Sequence, residues 1–261
     1  MFDYLLEKIT QAKIEEFPYR HVEINNFLTE EHLDIFVNDK QLHFEACSSD
    51  YELFKNLLDN EYEVFTGAGV TKDFKKYLQM LKDGEGIEGM GFFLPNPKNP
   101  VLKEFLDFFR SDKFHECVKA KFDITRPTRL HSDYRKYLSR YQISPHPDMR
   151  EKAMTYLLNL NKPQASEYDI HTKVMFFKKE YEWKYEEWEN NPNIQREWVP
   201  WDWCEEHKSI KENNSIIIFS PNNRTLHGAK LYYPHYDFQR TQLYGNLWYT
   251  DVNDRKRTKG E

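Results

Sequence analysis

His146-Pro147-Asp148, followed far along the chain by His227-Gly228 and then by Arg240, are the residues whose types and spacing suit redox chemistry at a metal. Two imidazoles and one carboxylate fill one face of an octahedral Fe(II). The opposite face is left open for a cosubstrate and O2, as in mononuclear non-haem iron centres. A cysteine or a fourth protein ligand would close or retune that face. Arg240 supplies a cation where an acidic cosubstrate needs one. On a strand, residues two apart leave on the same side, so His146 and Asp148 are predicted to reach one ion from an extended segment; a helical pair would be spaced by three or four. Pro145 and Pro147 flank His146 and favour extended backbone. The run Asn214-Ser-Ile-Ile-Ile-Phe-Ser220 reads as a buried strand closed by Pro221-Asn222-Asn223. His227 then falls just beyond a strand and a turn, with Gly228 letting the backbone crowd the site.

Each of these residues also has an ordinary structural reading. His146 suits a surface turn, Asp148 a turn or cap, and His227 a partly buried hydrogen-bonding position. An arginine in a strand can neutralise a buried acid or snorkel from an edge. A His-x-Asp triplet alone is a weak signal in a chain with ten histidines, so the flanking elements are what favour the metal reading.

Those elements carry a resemblance. Arg140-Tyr-Gln-Ile-Ser-Pro-His-Pro-Asp148 with Met154-Thr-Tyr-Leu-Leu-Asn-Leu-Asn161 resembles the ligand strand and following core strand of the 2-oxoglutarate and Fe(II)-dependent oxygenases, in particular the prolyl-4-hydroxylase-like branch with its bacterial and phage relatives. Asn214 to Ser220, Leu226-His-Gly228 and Arg240 resemble the closing strands. Val22-Glu-Ile-Asn-Asn-Phe-Leu-Thr-Glu-Glu31 resembles the opening strand and first helix. The resemblance implies an α+β fold with a double-stranded β-helix core, the jelly roll shared with cupins. It implies iron on His146, Asp148 and His227, and Arg240 on the distal carboxylate of 2-oxoglutarate. With O2 as the other cosubstrate, the implied reaction releases succinate and CO2 and hydroxylates an unactivated C–H of a small molecule or peptidyl residue. Tyr141 and Thr155 fall where the family's strands face the cosubstrate, and Arg129 and Asn159 fall toward the substrate. Gln242 stands where a Ser or Thr often follows the arginine. Asp148 is intact where halogenating relatives carry a small residue, which favours hydroxylation. Other classes remain open: a non-enzymatic jelly-roll binding module or scaffold, which has no need of three ligands plus Arg240, and a cupin-type metal enzyme that does not use 2-oxoglutarate and usually carries a more histidine-rich set.

The chain of 261 residues suits one catalytic domain. A mean hydropathy of −0.87, with no run of 18 apolar residues and no basic-then-apolar leader at Met1, predicts a cytoplasmic protein outside any membrane. A net charge of −6 argues against dedicated nucleic-acid binding, and the basic run Arg255-Lys256-Arg257 with Lys259 reads as a solvated tail. Cys47, Cys117 and Cys204 are too few and scattered for a disulfide framework, and Cys204 with His207 lacks the second pair of a zinc site.

Residues 1–115 carry the helical patterns that support the core: Leu5 with Ile9, the N-cap Thr29 before Glu30, Tyr51 to Leu58, Asp73 to Leu81, and Val101 to Phe109 after Pro100. Gly67-Ala-Gly69, Gly84, Gly86, Gly89 and Gly91 read as turns beside a pocket entrance, without the context of a dinucleotide loop. The core spans about 121–250, with strands at Thr155 to Leu160, Thr172 to Phe177, Ser215 to Phe219 and Phe238 to Trp248. Residues 180–213 form an aromatic insertion containing Tyr181, Trp183, Tyr185, Trp188, Trp198, Trp201 and Trp203. It suits either a satellite core anchoring a long loop or a lid over the site.

Overall fold

The computed structural model describes residues 1–66, 69–83 and 91–251. The turns expected at Gly67-Ala68 and at Gly84, Gly86 and Gly89, and the basic run from Arg255 to Lys259, lie outside the described residues. The first half contains α1 (Tyr4–Gln11), β1 (His21–Ile24), α2 (Glu30–Val37), α3 (Asp50–Asp59), β2 (Glu63–Thr66), β3 (Gly69–Thr71), α4 (Phe74–Asp83), β4 (Gly91–Leu94), α5 (Pro100–Phe109) and α6 (Asp112–Lys121). Short polar side chains start four of these helices by accepting a backbone N–H of the first turn: Thr29 from His32, Ser49 from Glu52, Asn99 from Val101 and Ser111 from Phe114. Apolar spacing then buries one face, as with Leu53, Phe54 and Leu57 of α3 and Leu102, Phe105, Leu106 and Phe109 of α5.

This half is not purely a helical support. The short strands β2, β3 and β4 extend the larger sheet, with Phe92 of β4 opposite Lys136. Strands of three or four residues show too few periods to be told from loop in a sequence dominated by helical spacing.

The second half contains β5 (Thr128–Tyr137), β6 (Gln142–His146), β7 (Lys152–Asn159), β8 (Thr172–Phe177), α7 (Trp183–Asn190), β9 (Cys204–Ile210), β10 (Ile216–Phe219), β11 (His227–Lys230) and β12 (Arg240–Tyr249). The strands form an eight-stranded sheet in the order β1-β10-β7-β12-β5-β4-β2-β3 and a four-stranded sheet in the order β6-β11-β8-β9. Every pairing described is antiparallel.

Register divides the large sheet into two chemically different faces. Leu243 and Leu247 of β12 lie on the same face as Met154, Tyr156 and Leu158 of β7 and are buried in the core formed with the helices. The alternate residues Arg240, Gln242, Tyr244 and Asn246 lie opposite Tyr137, Arg135, Asp133 and His131 of β5 and face the other way. On that side a smaller core of Leu157, Ile217 and Phe219 meets Val174 and Ile210 of the small sheet.

The insertion is shorter than the expected 180–213. Cys204–Ile210 is the edge strand of the small sheet, paired with β8 from Phe177↔Cys204 to Thr172↔Ile210. Only its two ends are buried, so the alternation that marks a strand is missing from its sequence. Tyr185, Trp188 and Val199 form a satellite cluster with Met175, Phe177, Cys204 and Leu226, whereas Trp183 and Trp198 remain exposed. The three cysteines are free, and among the described residues no helix is long and apolar enough to cross a membrane.

Gly245 is where β12 can carry no side chain. A Cβ there would stand 2.2 Å from the Tyr156 hydroxyl, which shares a 2.5 Å hydrogen bond with Ser132 while its ring stacks on Phe109. Gly245→Ala is expected to lower stability by about 1–3 kcal/mol, read as a lower urea midpoint with an unchanged slope.

Candidate metal centre

β6 ends on His146 and β11 begins on His227, directly opposite it, with ring centroids 4.4 Å apart. Each ring is fixed in the same way. His146 Nδ1 lies 2.9 Å from the Ser144 carbonyl oxygen, and His227 Nδ1 lies 2.9 Å from that of Thr225. A carbonyl can only accept, so Nδ1 carries the proton in both rings and the Nε2 lone pairs are left free.

Asp148 arrives by a different route from the one its spacing predicts. It lies beyond the end of β6 with φ of 57°, so a left-handed step after Pro147, and not strand alternation, brings it to the histidines. Aspartate tolerates this conformation better than most side chains. Its carboxylate oxygens stand 3.8 Å from His146 Nε2 and 3.9 Å from His227 Nε2. One ligand atom from each of the three buried residues lies within 4.8 Å of the other two. Gly228 is needed on the opposite side of β11, where a Cβ would meet Trp201 at 2.9 Å and the Ile143 carbonyl at 3.0 Å. It serves packing of the small sheet and not approach to the metal position.

Both oxygens of Asp148 are already engaged. Lys152 Nζ donates to Oδ1 at 2.5 Å and Thr155 Oγ1 donates to Oδ2 at 2.6 Å. Lys152 also contacts the Tyr244 hydroxyl at 3.0 Å, and Thr155 accepts from Asn246 Nδ2 at 2.9 Å. The Thr155 hydroxyl therefore orients the carboxylate and is not free for a keto-acid oxygen. Lys152 is a site residue that sequence reasoning missed; its only sequence signal is its position four residues after Asp148.

Burial, assisted by His227, pushes the His146 imidazole down to about 3 against the opposing pull of Asp148. Burial likewise lowers His227. For Asp148 burial acts upward, but the Lys152 ammonium, paired and hydrogen-bonded to it, outweighs it and holds the carboxyl well below its usual range. Neutral imidazoles beside an ionised carboxylate are the protonation states a divalent metal requires.

Arg240 opens β12 and is 2% exposed. Nη2 donates to Thr172 Oγ1 at 2.9 Å, Nε is buried without a hydrogen-bond partner, and the guanidinium lies 5.1 Å from the centre of the Tyr137 ring. It has no ion pair among the described residues. Thr172 is two residues along β8 from Val174, the partner of His227, so this guanidinium and the imidazoles belong to one space between the sheets. Tyr141 packs on Tyr137 at 4.7 Å, in reach of the field of Arg240. A buried guanidinium with no counter-ion is costly.

The remaining expected residues separate from the centre. Asn159 donates to the Ile210 and Glu212 carbonyls at 3.1 Å each and accepts from Gln242 at 2.7 Å, so its amide fastens the turn between β9 and β10 and is not free for substrate. Gln242 spends its Nε2 on that bond, and its Oε1 is buried without a partner. Arg129 is exposed near the start of β5, opposite Trp248.

The buried histidines fix a pH dependence for the metal-free protein. With His146 depressed from 6.5 to about 3, the unfolded chain takes up a proton that the fold refuses. Its contribution is complete above pH 6.5 and is lost as pH falls toward 3, at up to about 1.4 kcal/mol per pH unit. Urea unfolding across that window should show a shallower loss in His146→Asn than in the parent chain.

No protein-family model matches the chain, and no curated protein matches it. Among solved structures it is similar to a prolyl-4-hydroxylase from Pseudomonas putida at 10% identity, with a TM-score of 0.50 over 95% of this chain and 99% of that one. It is also similar to a prolyl hydroxylase from Trichoplax adhaerens in complex with a hypoxia inducible factor oxygen degradation domain peptide, at 10% identity, a TM-score of 0.43, and 94% and 86% coverage. A third similar structure is SnoN, the non-haem α-ketoglutarate-dependent epimerase of nogalamycin biosynthesis, at 10% identity, 0.43, and 95% and 80%. The likeness to the first runs along nearly the whole of both chains and shows a shared fold.

Proposed function

We propose that the chain is an Fe(II)- and 2-oxoglutarate-dependent oxygenase, a single catalytic domain built on a double-stranded β-helix. Strand placement supports the fold reading: β5, β7, β10 and β12 fall in the large sheet and β6, β8, β9 and β11 in the small one, the alternation expected of a chain wound between two facing sheets. One observation carries the functional reading. A buried set of two neutral imidazoles and one carboxylate shares its space with a buried guanidinium that has no counter-ion.

In this reading His146 and His227 hold the metal through Nε2 and Asp148 through a carboxylate oxygen. Lys152 and Thr155 fix the rotation of that carboxylate, which favours one-oxygen ligation and keeps the rest of the coordination sphere open. Arg240, steadied by Thr172, takes the distal carboxylate of 2-oxoglutarate, and Tyr137, Tyr141 and Tyr233 line its surroundings and limit water there. When bound, iron, 2-oxoglutarate and O2 supply an oxidative decarboxylation to succinate and CO2 coupled to oxidation of a substrate C–H bond. Hydroxylation of a small molecule or peptidyl residue is the outcome this ligand set favours.

His146→Ala and His227→Ala should fold, lose stoichiometric Fe(II) binding and lose 2-oxoglutarate-dependent succinate formation; full iron-dependent turnover in either would overturn the assignment. Arg240→Ala should raise the 2-oxoglutarate requirement by about ten- to a hundredfold, the scale of a charged hydrogen bond, with little change in the iron requirement. Unchanged 2-oxoglutarate affinity would remove Arg240 from the site.

A further inference from the structure

Among the described residues, the buried lysines and arginines are Lys136, Lys152, Arg196 and Arg240. Three are accounted for. Lys136 reaches the Leu42 carbonyl and the Thr241 hydroxyl beneath the rings of Phe44 and Tyr62, and burial draws its pKa down to about 7, so it can rest uncharged. Lys152 has Asp148 as its counter-ion, and Arg240 has the role given above.

Arg196 has no such account. It lies on the strap that returns from the aromatic insertion alongside the metal-ligand segment: Val199 N–H donates to the Pro145 carbonyl at 2.8 Å, and Arg150 N–H donates to Gln195 Oε1 at 3.2 Å. Arg196 itself is 8% exposed, and its Nε donates to the carbonyl of Asp148 at 3.1 Å. Among the described residues that is its only hydrogen bond, so both terminal nitrogens lack a protein acceptor there, and no carboxylate comes within ion-pair distance. Its neighbour Arg150 spends its guanidinium on the Trp188, Asn191 and Ile194 carbonyls and on Asn223, and offers it no compensation. Burial, with Arg150 adding repulsion and the Asp148 and Glu151 carboxylates pulling the other way, lowers Arg196 only to about 10, so it stays charged at neutral pH. Unlike Arg240 Nε, the terminal nitrogens of Arg196 keep contact with solvent, and their planar fork is open to two oxygens of one group.

We infer that Arg196 is a second anion receptor at this site, taking a carboxylate or phosphate group carried by the molecule oxidised at the metal. The substrate is therefore anionic, and naming it as substrate rests on the oxygenase reading. Because the guanidinium hangs on the backbone of a metal-ligand residue, an anion on its terminal nitrogens is held beside the metal position, and the insertion contributes to substrate choice through this strap.

The test uses the full chain in an Arg240→Ala background, which removes the other unpaired guanidinium. Inorganic phosphate and acetate are titrated separately while the thermal midpoint is followed. At ten times the dissociation constant, at least one of them should raise the midpoint by roughly 3 °C. Arg196→Met in the same background should abolish the rise and, without anion, unfold at or above the temperature of its background, because it removes an unpaired buried charge. Protection by phosphate alone identifies a phosphorylated substrate, and protection by acetate a carboxylate. With Mn(II) bound, the phosphorus NMR line of protecting phosphate should broaden, or the methyl proton line of acetate, and Arg196→Met should remove the broadening. No protection by either anion, equal protection in Arg196→Met, or protection without broadening in protein that binds Mn(II) would each overturn the inference. If Arg196→Met fails to fold, Arg196→Lys decides: at least tenfold weaker protection is expected, and unchanged affinity is contrary. Protection through Arg196 in a chain that binds no Mn(II) supports the anion site and contradicts the oxygenase reading.

Discussion

The arrangement between the sheets depends on the carboxylate of Asp148, held by Lys152 on one oxygen and by Thr155 on the other. An ionised carboxylate this deeply buried is unfavourable unless paired and hydrogen-bonded, and removing one member of such a pair typically costs about 3–5 kcal/mol. The interaction ties the turn after β6 to β7. Through Tyr244 and Asn246, which contact Lys152 and Thr155, it also ties that turn to β12. It keeps a negative charge beside two imidazoles that burial holds neutral, the protonation states that a divalent metal would require. Its geometry also limits how Asp148 can ligate, since each oxygen already accepts a strong hydrogen bond.

Stability and chemistry are carried by opposite faces of the same strands. On β12, Leu243 and Leu247 pack into the core with the helices while Arg240, Gln242, Tyr244 and Asn246 face the space between the sheets. Such polar groups survive burial by satisfying one another: Gln242 with Asn159, Asn246 with Thr155, and Arg135 with Asp133 at 2.6 Å. On this face of β12, Arg240 Nε and Gln242 Oε1 are left without a partner. Arg240 on the large sheet and Arg196 on the insertion are the two buried arginines among the described residues.

What was legible in the sequence follows physical causes that act locally. His146 and His227 were readable because prolines, a β-branched run and a turn fix the backbone around them, and the helix starts at Thr29 and Pro100 because caps are local chemistry. Asp148 was identified for a partly wrong reason, since its φ of 57° is not encoded by strand spacing. β9 was hidden in the insertion because Glu205, Glu206, His207 and Lys208 give a largely solvated strand no alternation to detect. Lys152 and Arg196 look like surface residues in sequence; only the tertiary fold withdraws them from water. Thr155 and Asn159 lie on the core strand the sequence indicated, but their partners, Asp148 for one and the carbonyls of Ile210 and Glu212 for the other, come from distant segments.

The central claim is that His146, Asp148, His227 and Arg240 act as one receptor for a metal and a 2-oxo dicarboxylate. Calorimetric titration of 2-oxoglutarate into the full chain, with and without one equivalent of Mn(II), tests it most directly. The account predicts one binding site that forms only when the metal is present. Binding of equal affinity in the metal-free chain, or none in the metal-loaded chain, would contradict it.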